Sequence, residues 1–408
     1  MKFLHTGDLH IGKVVNDFSM LEDQGYILKQ IRELAVREKA DALVIAGDIY
    51  DRAIPPADAV VLLDDFLTDM VKTGIPVLMI SGNHDSPERV GFAGAILEGQ
   101  GLHIAGIYED RLKEVTLEDK YGKVTFVLMP YVKPAAAGAK NCGEAVERML
   151  YGQEEAKCMR CAEAAENVEH TETVKSAGSA GNRKCGADRR VLVTHYFVTD
   201  HGREPELSEG ETTIHVGGLD NVEASLFDGF DYVALGHIHK PQRIGQGQVY
   251  YAGAPLAYSF SETGQEKYVN LVELGEKGGA EVKKLQLQPL HGIRRIKGRL
   301  EELMQPDIVE AADNQDYIQA ELTNEEELID PIGTLRTVYP NIMQIVLTKN
   351  EKKDQAGYVS RLQEKRKSIP ELFEGFYQMI REETPDEERK KIIEETAKQA
   401  EGEAYYET

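Results

Sequence analysis

Short apolar runs that each end in a turn of polar side chains are the feature that most constrains this fold. The run Val77–Ile80 is followed by Ser-Gly-Asn-His-Asp-Ser-Pro. Four apolar residues bounded by turn residues are typical of a buried strand, and the Ser86-Pro87 pair predicts the start of a helix. Taken alone, the Asn83-His84-Asp85 turn is equally compatible with an ordinary polar loop, because short motifs have many chance matches.

The same arrangement recurs four more times along the chain. The other apolar runs end in Asp8-x-His10, Gly47-Asp48, His195 and Gly236-His237-x-His239. Amphipathic helices are predicted over 19–38 and 57–72, between the first three strands, which indicates right-handed βαβ units and a parallel sheet. Because the ends of such strands meet at one edge of a sheet, five polar endings predict a functional site there.

The length of 408 residues predicts two or three domains. We expect an α/β fold in which residues 1–278 form a two-sheet sandwich flanked by helices, with a flexible insertion around 135–190. Strands at 249–252 and 268–274 are expected to complete the second sheet. Residues 279–350 are expected to form a small α/β domain that includes a strand at 282–287, and residues 351–408 a linker and C-terminal helices.

The predicted C-terminal helices cover 368–381 and 385–400. The first carries an apolar and aromatic stripe, Leu372, Phe373, Phe376, Tyr377 and Ile380. A stripe of this kind after a polar linker packs either on the chain's own domain or on the helices of a partner, and the pattern alone leaves both open.

Charge and hydropathy exclude some classes of function. A formal charge of -23 argues against a protein that coats nucleic acid by bulk attraction, although bound divalent metals would set the local field of a nuclease site. No apolar run approaches the roughly 20 residues needed to span a bilayer, and the first residues lack a signal-peptide layout, so we expect a cytoplasmic protein without a membrane partner. Cys158 and Cys161 form one CxxC pair, which we interpret as ordinary thiols in a loop.

The chemistry of the polar turns points to metals. Carboxylates, an amide and several imidazoles form a mixed oxygen and nitrogen ligand set suited to Mn²⁺, Zn²⁺ or Fe²⁺. Seven candidate ligands are too many for one ion, whereas two ions about 3.5 to 4 Å apart and bridged by a carboxylate would use them economically. The sequence therefore predicts metal-assisted hydrolysis of a phosphate ester, with an unligated histidine protonating the departing oxygen.

These turns, in the same order, resemble the signature of the calcineurin-like metallophosphoesterases. Within that family the chain is more narrowly similar to the SbcD-type nuclease subunits of bacteria. The narrower resemblance rests on 230–239, on Tyr251-Ala-Gly-Ala-Pro255, on Tyr258-Ser-Phe260, and on the small domain and helical tail. It covers nearly the whole chain except the insertion that contains the cysteines.

The resemblance implies a role for each site residue. One metal would be held by Asp8, His10, Asp48 and His239, and the other by Asp48, Asn83, His195 and His237, with Asp48 as the bridge. His84 would be the catalytic proton donor and Asp85 its orienting partner. Asp51 also resembles part of a phosphatase motif, but SbcD relatives from eukaryotes carry a histidine there, so we assign Asp51 no catalytic role.

The resemblance also implies cofactors and partners. Two Mn²⁺ ions would support double-strand exonuclease and single-strand or hairpin endonuclease activity on DNA, in DNA repair, recombination and replication. The small domain would be a capping domain that positions DNA. The C-terminal helices would bind an SbcC-like coiled-coil ATPase, and two copies of this chain would form a homodimer within a heterotetramer.

Two alternatives from other classes remain open on sequence grounds. A phosphatase or cyclic-nucleotide phosphodiesterase on the same metal core is compatible with the ligand set, but it gives no reason for the small domain and tail. A non-catalytic adaptor would not need the full set of candidate ligands.

Overall fold

The computed structural model describes residues 1–152, 189–208, 220–276 and 278–347, with the tail positions 377, 385–386 and 389–392. The middle of the predicted insertion, with Cys158, Cys161 and Cys185, lies outside the described residues. So do most of the predicted linker and C-terminal helices. No described helix is long and apolar enough to cross a membrane.

Two six-stranded sheets form the larger part of the described chain. In spatial order, the first sheet consists of Ala280–Leu287, Lys267–Leu274, Lys2–Thr6, Ala42–Ala46, Val77–Ile80 and Leu102–Ala105. The second consists of Gln242–Ile244, Val249–Tyr251, Tyr232–Leu235, Arg189–Thr194, Gly122–Met129 and Lys113–Asp119. The inner strands of both sheets run parallel, as the sequence predicts for fully apolar runs covered on both faces.

A shared apolar core holds the two sheets face to face. Phe3 of the first sheet packs edge-on against Phe126 and Tyr232 of the second, with ring centroids 5.3 and 5.6 Å apart. The same core includes fully buried residues from both sheets, Val44, Leu78, Val193 and Ala234 among them. The predicted two-sheet sandwich is confirmed.

Helices cover the outer face of the first sheet. Helix α1 (Leu21–Arg37) buries Ile27, Ile31 and Leu34, and helix α2 (Ala57–Thr73) buries Leu63 and Phe66, at the spacing of one helix face. A helix at 142–152 follows the second sheet's inner strand Gly122–Met129 in the chain. The remaining described helical segments are short: Pro87–Val90, Gly94–Leu97, Leu300–Leu303, Pro306–Val309, Pro331–Arg336 and 389–392. Single 3₁₀ turns occur at Glu98–Gln100, Pro134–Ala137, Ala224–Phe227 and Phe260–Glu262.

Two strands belong to a different part of the fold than the sequence predicts. Lys267–Leu274 pairs antiparallel with Lys2–Thr6 and therefore extends the first sheet, not the second. Ala280–Leu287 pairs with Lys267–Leu274 over eight residues, so it belongs to the sandwich and not to the small domain. The turn between them contains Gly278 and Gly279 at positive φ, 85° and 59°, and tight glycine turns join neighbouring antiparallel strands.

A third sheet, of three parallel strands, follows the sandwich. It is formed by Ile293–Gly298, Tyr317–Leu322 and Ile342–Leu347, and it has its own core around Leu303, Ile318 and Leu335. This sheet contacts helix α1 through the buried carboxylate of Asp23. That carboxylate accepts hydrogen bonds from the Tyr317 hydroxyl at 2.7 Å and from the His291 backbone N–H at 3.0 Å.

Two short ribbons complete the described strands. Val14–Val15 pairs antiparallel with Phe18–Ser19 directly after the first polar turn. Phe197–Thr199 pairs with Asn221–Glu223 after His195. Both ribbons continue from turns that carry candidate ligands.

Candidate metal centre

The polar turns of both sheets meet at one place, at the carboxyl ends of the parallel strands. Backbone hydrogen bonds join the first two turns: the Asp8 N–H donates to the Gly47 carbonyl, and the His10 N–H to the Asp48 carbonyl, each at 3.0 Å. Asp8, His10 and Asp48 have positive φ values of 52°, 46° and 50°. Such backbone strain in non-glycine residues persists where surrounding structure enforces it, and it is typical of functional sites.

Two glycines allow the turns to approach this closely. A Cβ atom on Gly82 would lie 2.2 Å from the Asp48 Oδ1 atom, and one on Gly236 would lie 2.0 Å from the Ala46 carbonyl oxygen. Because any side chain at these positions would push the turns apart, the glycines beside the predicted ligands are required by the geometry of the site.

One half of the site contains Asp8, His10 and His239, whose ligating atoms all lie within 4.8 Å of one another. The Nε2 atoms of His10 and His239 are 3.1 Å apart. Asp8 Oδ1 accepts a hydrogen bond of 2.8 Å from the His237 backbone N–H, while the buried Asp8 Oδ2 has no hydrogen-bond partner within the described part of the chain. Two imidazole nitrogens beside an unpaired buried carboxylate oxygen could hold a divalent cation.

The other half contains His195, Asn83 and His237. Asn83 Oδ1 lies 3.0 Å from His195 Nε2 and 2.9 Å from His237 Nδ1. The opposite nitrogen of His195, Nδ1, is 2.7 Å from the Ala46 carbonyl oxygen, which identifies it as the protonated nitrogen and leaves Nε2 as the ligating one. These oxygen and nitrogen atoms also form a plausible ligand set for a divalent cation.

Asp48 lies between the two halves. Its Oδ2 atom is 3.7 Å from His10 Nε2 and 3.3 Å from His195 Nε2, and its Oδ1 atom accepts a hydrogen bond of 2.9 Å from the His84 backbone N–H. A carboxylate in this position could bridge two ions. All seven residues predicted as ligands are therefore brought together in one cluster.

The carboxylate of Asp85 does not contact the His84 imidazole, contrary to its predicted orienting role. It accepts hydrogen bonds from the backbone N–H groups of Ile49, Tyr50 and Gly82, at 3.0, 2.9 and 2.9 Å. Asp85 therefore connects the turn that follows Asp48, the second polar turn, to the turn that carries Asn83 and His84, the third polar turn. The backbone of a turn cannot be assigned hydrogen-bond partners from sequence, which is why this role was missed.

The exposed imidazole of His84 is held by a different group. Its Nδ1 atom lies 3.0 Å from the backbone carbonyl oxygen of Asp51, so that Nδ1 is the donor of this bond. The Asp51 side chain is occupied elsewhere, since its Oδ1 atom accepts from Lys13 Nζ at 2.7 Å. His84 also belongs to a group with His10 and Asp48 whose ligating atoms lie within 4.8 Å of one another.

Burial and neighbouring charges shift the carboxylates in opposite directions. Burial raises the pKa of Asp8 to about 7. Burial would also raise the pKa of Asp48, but the neighbouring histidines, chiefly His195 and then His10 and His84, outweigh burial and hold that pKa well below its usual range. A divalent cation beside these two buried carboxylates would favour the ionised form of both.

Four buried side chains support the half-site of His10 and His239, and sequence patterns did not reveal any of them. The Gln24 amide donates to the His10 carbonyl at 2.7 Å and to the Tyr258 hydroxyl at 3.1 Å. Glu262 and Lys267 form a buried ion pair beside His239. These residues lie far from the polar turns in sequence and have no motif spacing, although Tyr258 lies in the Tyr-Ser-Phe segment noted above.

Sequence comparisons agree with this geometry. The profile of the calcineurin-like phosphoesterase family matches residues 1–241, and that of the type 5 capsule protein repressor C-terminal domain matches residues 289–380. The SbcD subunit of the nuclease SbcCD from Staphylococcus saprophyticus is 31% identical over 346 residues, covering 85% of this chain and 84% of the relative. The corresponding protein from Staphylococcus epidermidis, which has the same name, is 28% identical over 378 residues, covering 92% of each chain.

A comparison with solved structures matches a dimetal phosphatase from Danio rerio at low similarity. It is 13% identical, with a TM-score of 0.38, and the match covers 71% of this chain and 99% of that one. TT1561 of Thermus thermophilus is 12% identical, with a TM-score of 0.34, and the match covers 69% and 98%. From the family profile and the staphylococcal relatives, this chain belongs to the calcineurin-like phosphoesterases, which are divalent-metal enzymes, and within them to the SbcD group.

Proposed function

We propose that this protein is the nuclease subunit of an SbcCD-type complex and hydrolyses phosphodiester bonds of DNA with two divalent metals. The observation that carries the proposal is the position of the Asp48 carboxylate between two ligand sets, 3.7 Å from His10 and 3.3 Å from His195. A shared carboxylate between two nitrogen-rich half-sites is the arrangement that a two-metal phosphoesterase requires. The staphylococcal relatives are named as subunits of a nuclease, which supports a nucleic acid as the substrate, and we propose that it is DNA.

In this proposal Asp8, His10, Asp48 and His239 hold one cation, and Asp48, Asn83, His195 and His237 hold the other. The unpaired Asp8 oxygen and the strained turns support this assignment. When bound, a pair of divalent cations, which we propose to be Mn²⁺, neutralises charge on the phosphate and makes hydroxide available near neutral pH.

His84 protonates the departing oxygen in this mechanism. Its Nδ1–H is engaged by the Asp51 carbonyl, so the exposed Nε2 atom is the one available to carry a proton toward the substrate. The hydrogen bonds from Ile49 and Tyr50 to Asp85 fix the turn that carries His84 against the turn of Asp48, and the bond from Gly82 closes the turn of His84 itself. Asp85 is therefore a positioning residue in this scheme.

The remaining parts of the chain are given roles that complete the proposal. Residues from about 289 onward form a capping domain that positions DNA, and the C-terminal helices bind a coiled-coil ATPase of the SbcC type. Two copies of this chain form the centre of the assembly. Exonuclease action on duplex ends and endonuclease action on hairpins, in repair, recombination and replication in the cytoplasm, belong to the same proposal.

The direct test is cleavage of defined DNA substrates. Purified protein, with and without its ATPase partner, is incubated with linear duplex and hairpin DNA in Mn²⁺ and in EDTA. We expect Mn²⁺-dependent cleavage of both substrates. Turnover of a small phosphomonoester or a cyclic nucleotide, with neither DNA cleaved, would refute the nuclease assignment and favour the phosphatase alternative.

A second test addresses the partner. A chain that ends at residue 355 should lose binding to the SbcC-type ATPase, because the proposed binding helices are removed, while it still binds two Mn²⁺ ions. Size-exclusion chromatography measures the complex, and isothermal titration calorimetry measures the metal. A truncated chain that still elutes with the ATPase would contradict this assignment of the tail.

A further inference from the structure

A buried glutamate lies next to one of the proposed metal ligands, on the side of its ring that faces away from the metal position. Glu262, which is 1% exposed, places its Oε1 atom 3.7 Å from His239 Nδ1. The opposite nitrogen of the same ring, Nε2, faces His10 Nε2 at 3.1 Å inside the half-site. His239 therefore presents one nitrogen to the metal position and the other to a carboxylate.

The surroundings of Glu262 hold it in place and balance its charge. Its Oε1 atom accepts a hydrogen bond of 3.2 Å from the Tyr258 backbone N–H. Its Oε2 atom pairs with Lys267, which is also buried and whose Nζ lies 3.5 Å from the His239 carbonyl oxygen. A carboxylate buried this deeply is costly unless it is paired and hydrogen-bonded, and both conditions are met here.

Two other histidines of the site are supported by backbone carbonyl groups, while His10 Nδ1 lies 3.8 Å from Oδ1 of Asp51, a carboxylate that is paired with Lys13. The Nδ1 atoms of His195 and His84 contact the backbone carbonyl oxygens of Ala46 and Asp51, at 2.7 and 3.0 Å. A neutral carbonyl fixes the tautomer of an imidazole, whereas a carboxylate also increases the basicity of its ligating nitrogen. Glu262 therefore gives His239 a support that differs in kind from that of His195 and His84.

We propose that Glu262 is a positioning residue for the metal half-site of Asp8, His10 and His239. It keeps the proton of His239 on Nδ1, leaves Nε2 as the ligand, and strengthens that ligand, while Lys267 compensates the buried charge. The inference rests on the proposed function for the presence of the two metals. It assigns to Glu262 a selective effect on one of the two half-sites.

The test compares metal affinity in Glu262→Gln with the unchanged chain. The full-length protein is stripped with a chelator and titrated with Mn²⁺ by calorimetry, and electron paramagnetic resonance follows the spin-coupled metal pair. We expect one of two sites to weaken about tenfold, as removal of such supporting carboxylates typically does, and the coupled signal to disappear at two equivalents of Mn²⁺. The second site should stay within about twofold.

Glu206→Gln is the matched control. Glu206 pairs with Lys240, the residue after His239, but this ion pair is exposed, with Glu206 at 73%. Its substitution removes the same charge near the same turn without contacting an imidazole, and both affinities should be unchanged.

Three results would overturn the inference. Unchanged affinity at both sites in Glu262→Gln, or equal weakening of both, would exclude a selective role.

If Glu262→Gln does not fold, the double variant Glu262→Gln/Lys267→Met, which also removes the unpaired Lys267 cation, is tested by the same criteria. If the unchanged chain binds no Mn²⁺, the metal centre of the proposed function fails as well. A selectively weakened site together with absent DNA cleavage would instead refute the nuclease proposal alone.

Discussion

At the scale of single residues, the site contains a buried side chain between the two half-sites and an exposed side chain that faces solvent. Asp48 is buried, and its two oxygens contact both half-sites and the backbone of the third turn. His84 is exposed and is fixed through one nitrogen only. These positions support the proposed roles of Asp48 as a metal ligand and of His84 as the proton donor to the substrate.

Substituting these two residues should separate metal binding from catalysis. We expect His84→Ala to bind two Mn²⁺ ions while DNA cleavage falls about 10²- to 10⁴-fold, the usual contribution of a general acid. Asp48→Asn should lose the metals themselves, because the bridging charge is removed. Elemental analysis and a hairpin-cleavage assay measure the two effects, and a metal-free His84→Ala would contradict the role given to His84.

A second residue-scale prediction concerns the close approach of the turns. In Gly82→Ala the new Cβ atom would lie 2.2 Å from Asp48 Oδ1 and 2.4 Å from its backbone nitrogen. We expect the turns to move apart and Mn²⁺ affinity, measured by calorimetry, to fall at least tenfold. Gly99→Ala is the control, because no atom lies within 4 Å of the added Cβ there. Equal affinities in the two variants would show that the site tolerates a wider turn.

At the scale of elements, an ion pair within the second sheet also reaches the first sheet through its arginine. Arg189, at the start of a strand in the second sheet, donates to both oxygens of Asp119 at 3.0 and 2.5 Å. The same guanidinium donates to the carbonyl oxygens of Leu274 and Gly275, at 3.5 and 3.3 Å, where a strand of the first sheet ends. Both side chains of the ion pair are buried.

Breaking this pair should destabilise the sandwich. Asp119 pairs with the buried N-terminal ammonium of Met1 as well as with Arg189. Asp119→Asn leaves both buried charges without this carboxylate, and we expect the free energy of unfolding at pH 7 to fall by about 3 kcal/mol. Urea unfolding followed by circular dichroism measures the change. Glu118→Gln, at an exposed neighbouring position, should be close to neutral. Unfolding curves of Asp119→Asn that coincide with those of the unchanged chain would contradict a role for this pair in stability.

The same pair has a defined dependence on pH. The hydrogen-bonded Arg189 lowers the pKa of Asp119 relative to the unfolded chain. Its stabilisation is therefore fully present above the unfolded-state pKa of about 4 and is lost as the pH falls through the lower folded-state value. The difference in stability between the unchanged chain and Asp119→Asn should shrink below about pH 4. A constant difference down to pH 2 would be inconsistent with this linkage.

At the scale of the whole molecule, the third sheet is attached to the sandwich close to the metal centre. The Asp23 carboxylate is fully buried and binds Tyr317 and His291. The next residue, Gln24, donates to the His10 carbonyl. Adjacent positions of helix α1 therefore contact the third sheet on one side and a turn of the site on the other.

Weakening this attachment should loosen the third sheet. Tyr317→Phe removes one hydrogen bond to a buried carboxylate, which is worth about 1.5 to 3 kcal/mol. We expect faster amide hydrogen exchange over 291–298 by mass spectrometry, with exchange in Lys2–Thr6 unchanged. Tyr268→Phe, which removes a hydrogen bond to the exposed Glu266, is the control. Identical exchange over 291–298 in both variants would show that Asp23 does not secure the sheet.

The local patterns in the sequence were sufficient to predict the parallel inner strands of the sandwich and the turns that carry the candidate ligands, but not its edge strands or the sheet to which Lys267–Leu274 belongs. Apolar runs, glycines and strand order act over a few residues, and parallel strands necessarily bring their ends together. For that reason Asp8, Asp48, His195 and His237 were placed at one edge of the fold from sequence alone.

Only the tertiary structure decided contacts between distant segments. The pairing of Ala280–Leu287 with the first sheet, the bonds from Ile49 and Tyr50 to Asp85, and the contact of Glu262 with His239 depend on which segments meet in space. A buried carboxylate becomes favourable only where folding supplies a matching donor or cation, and no periodicity along the chain records where that donor will be.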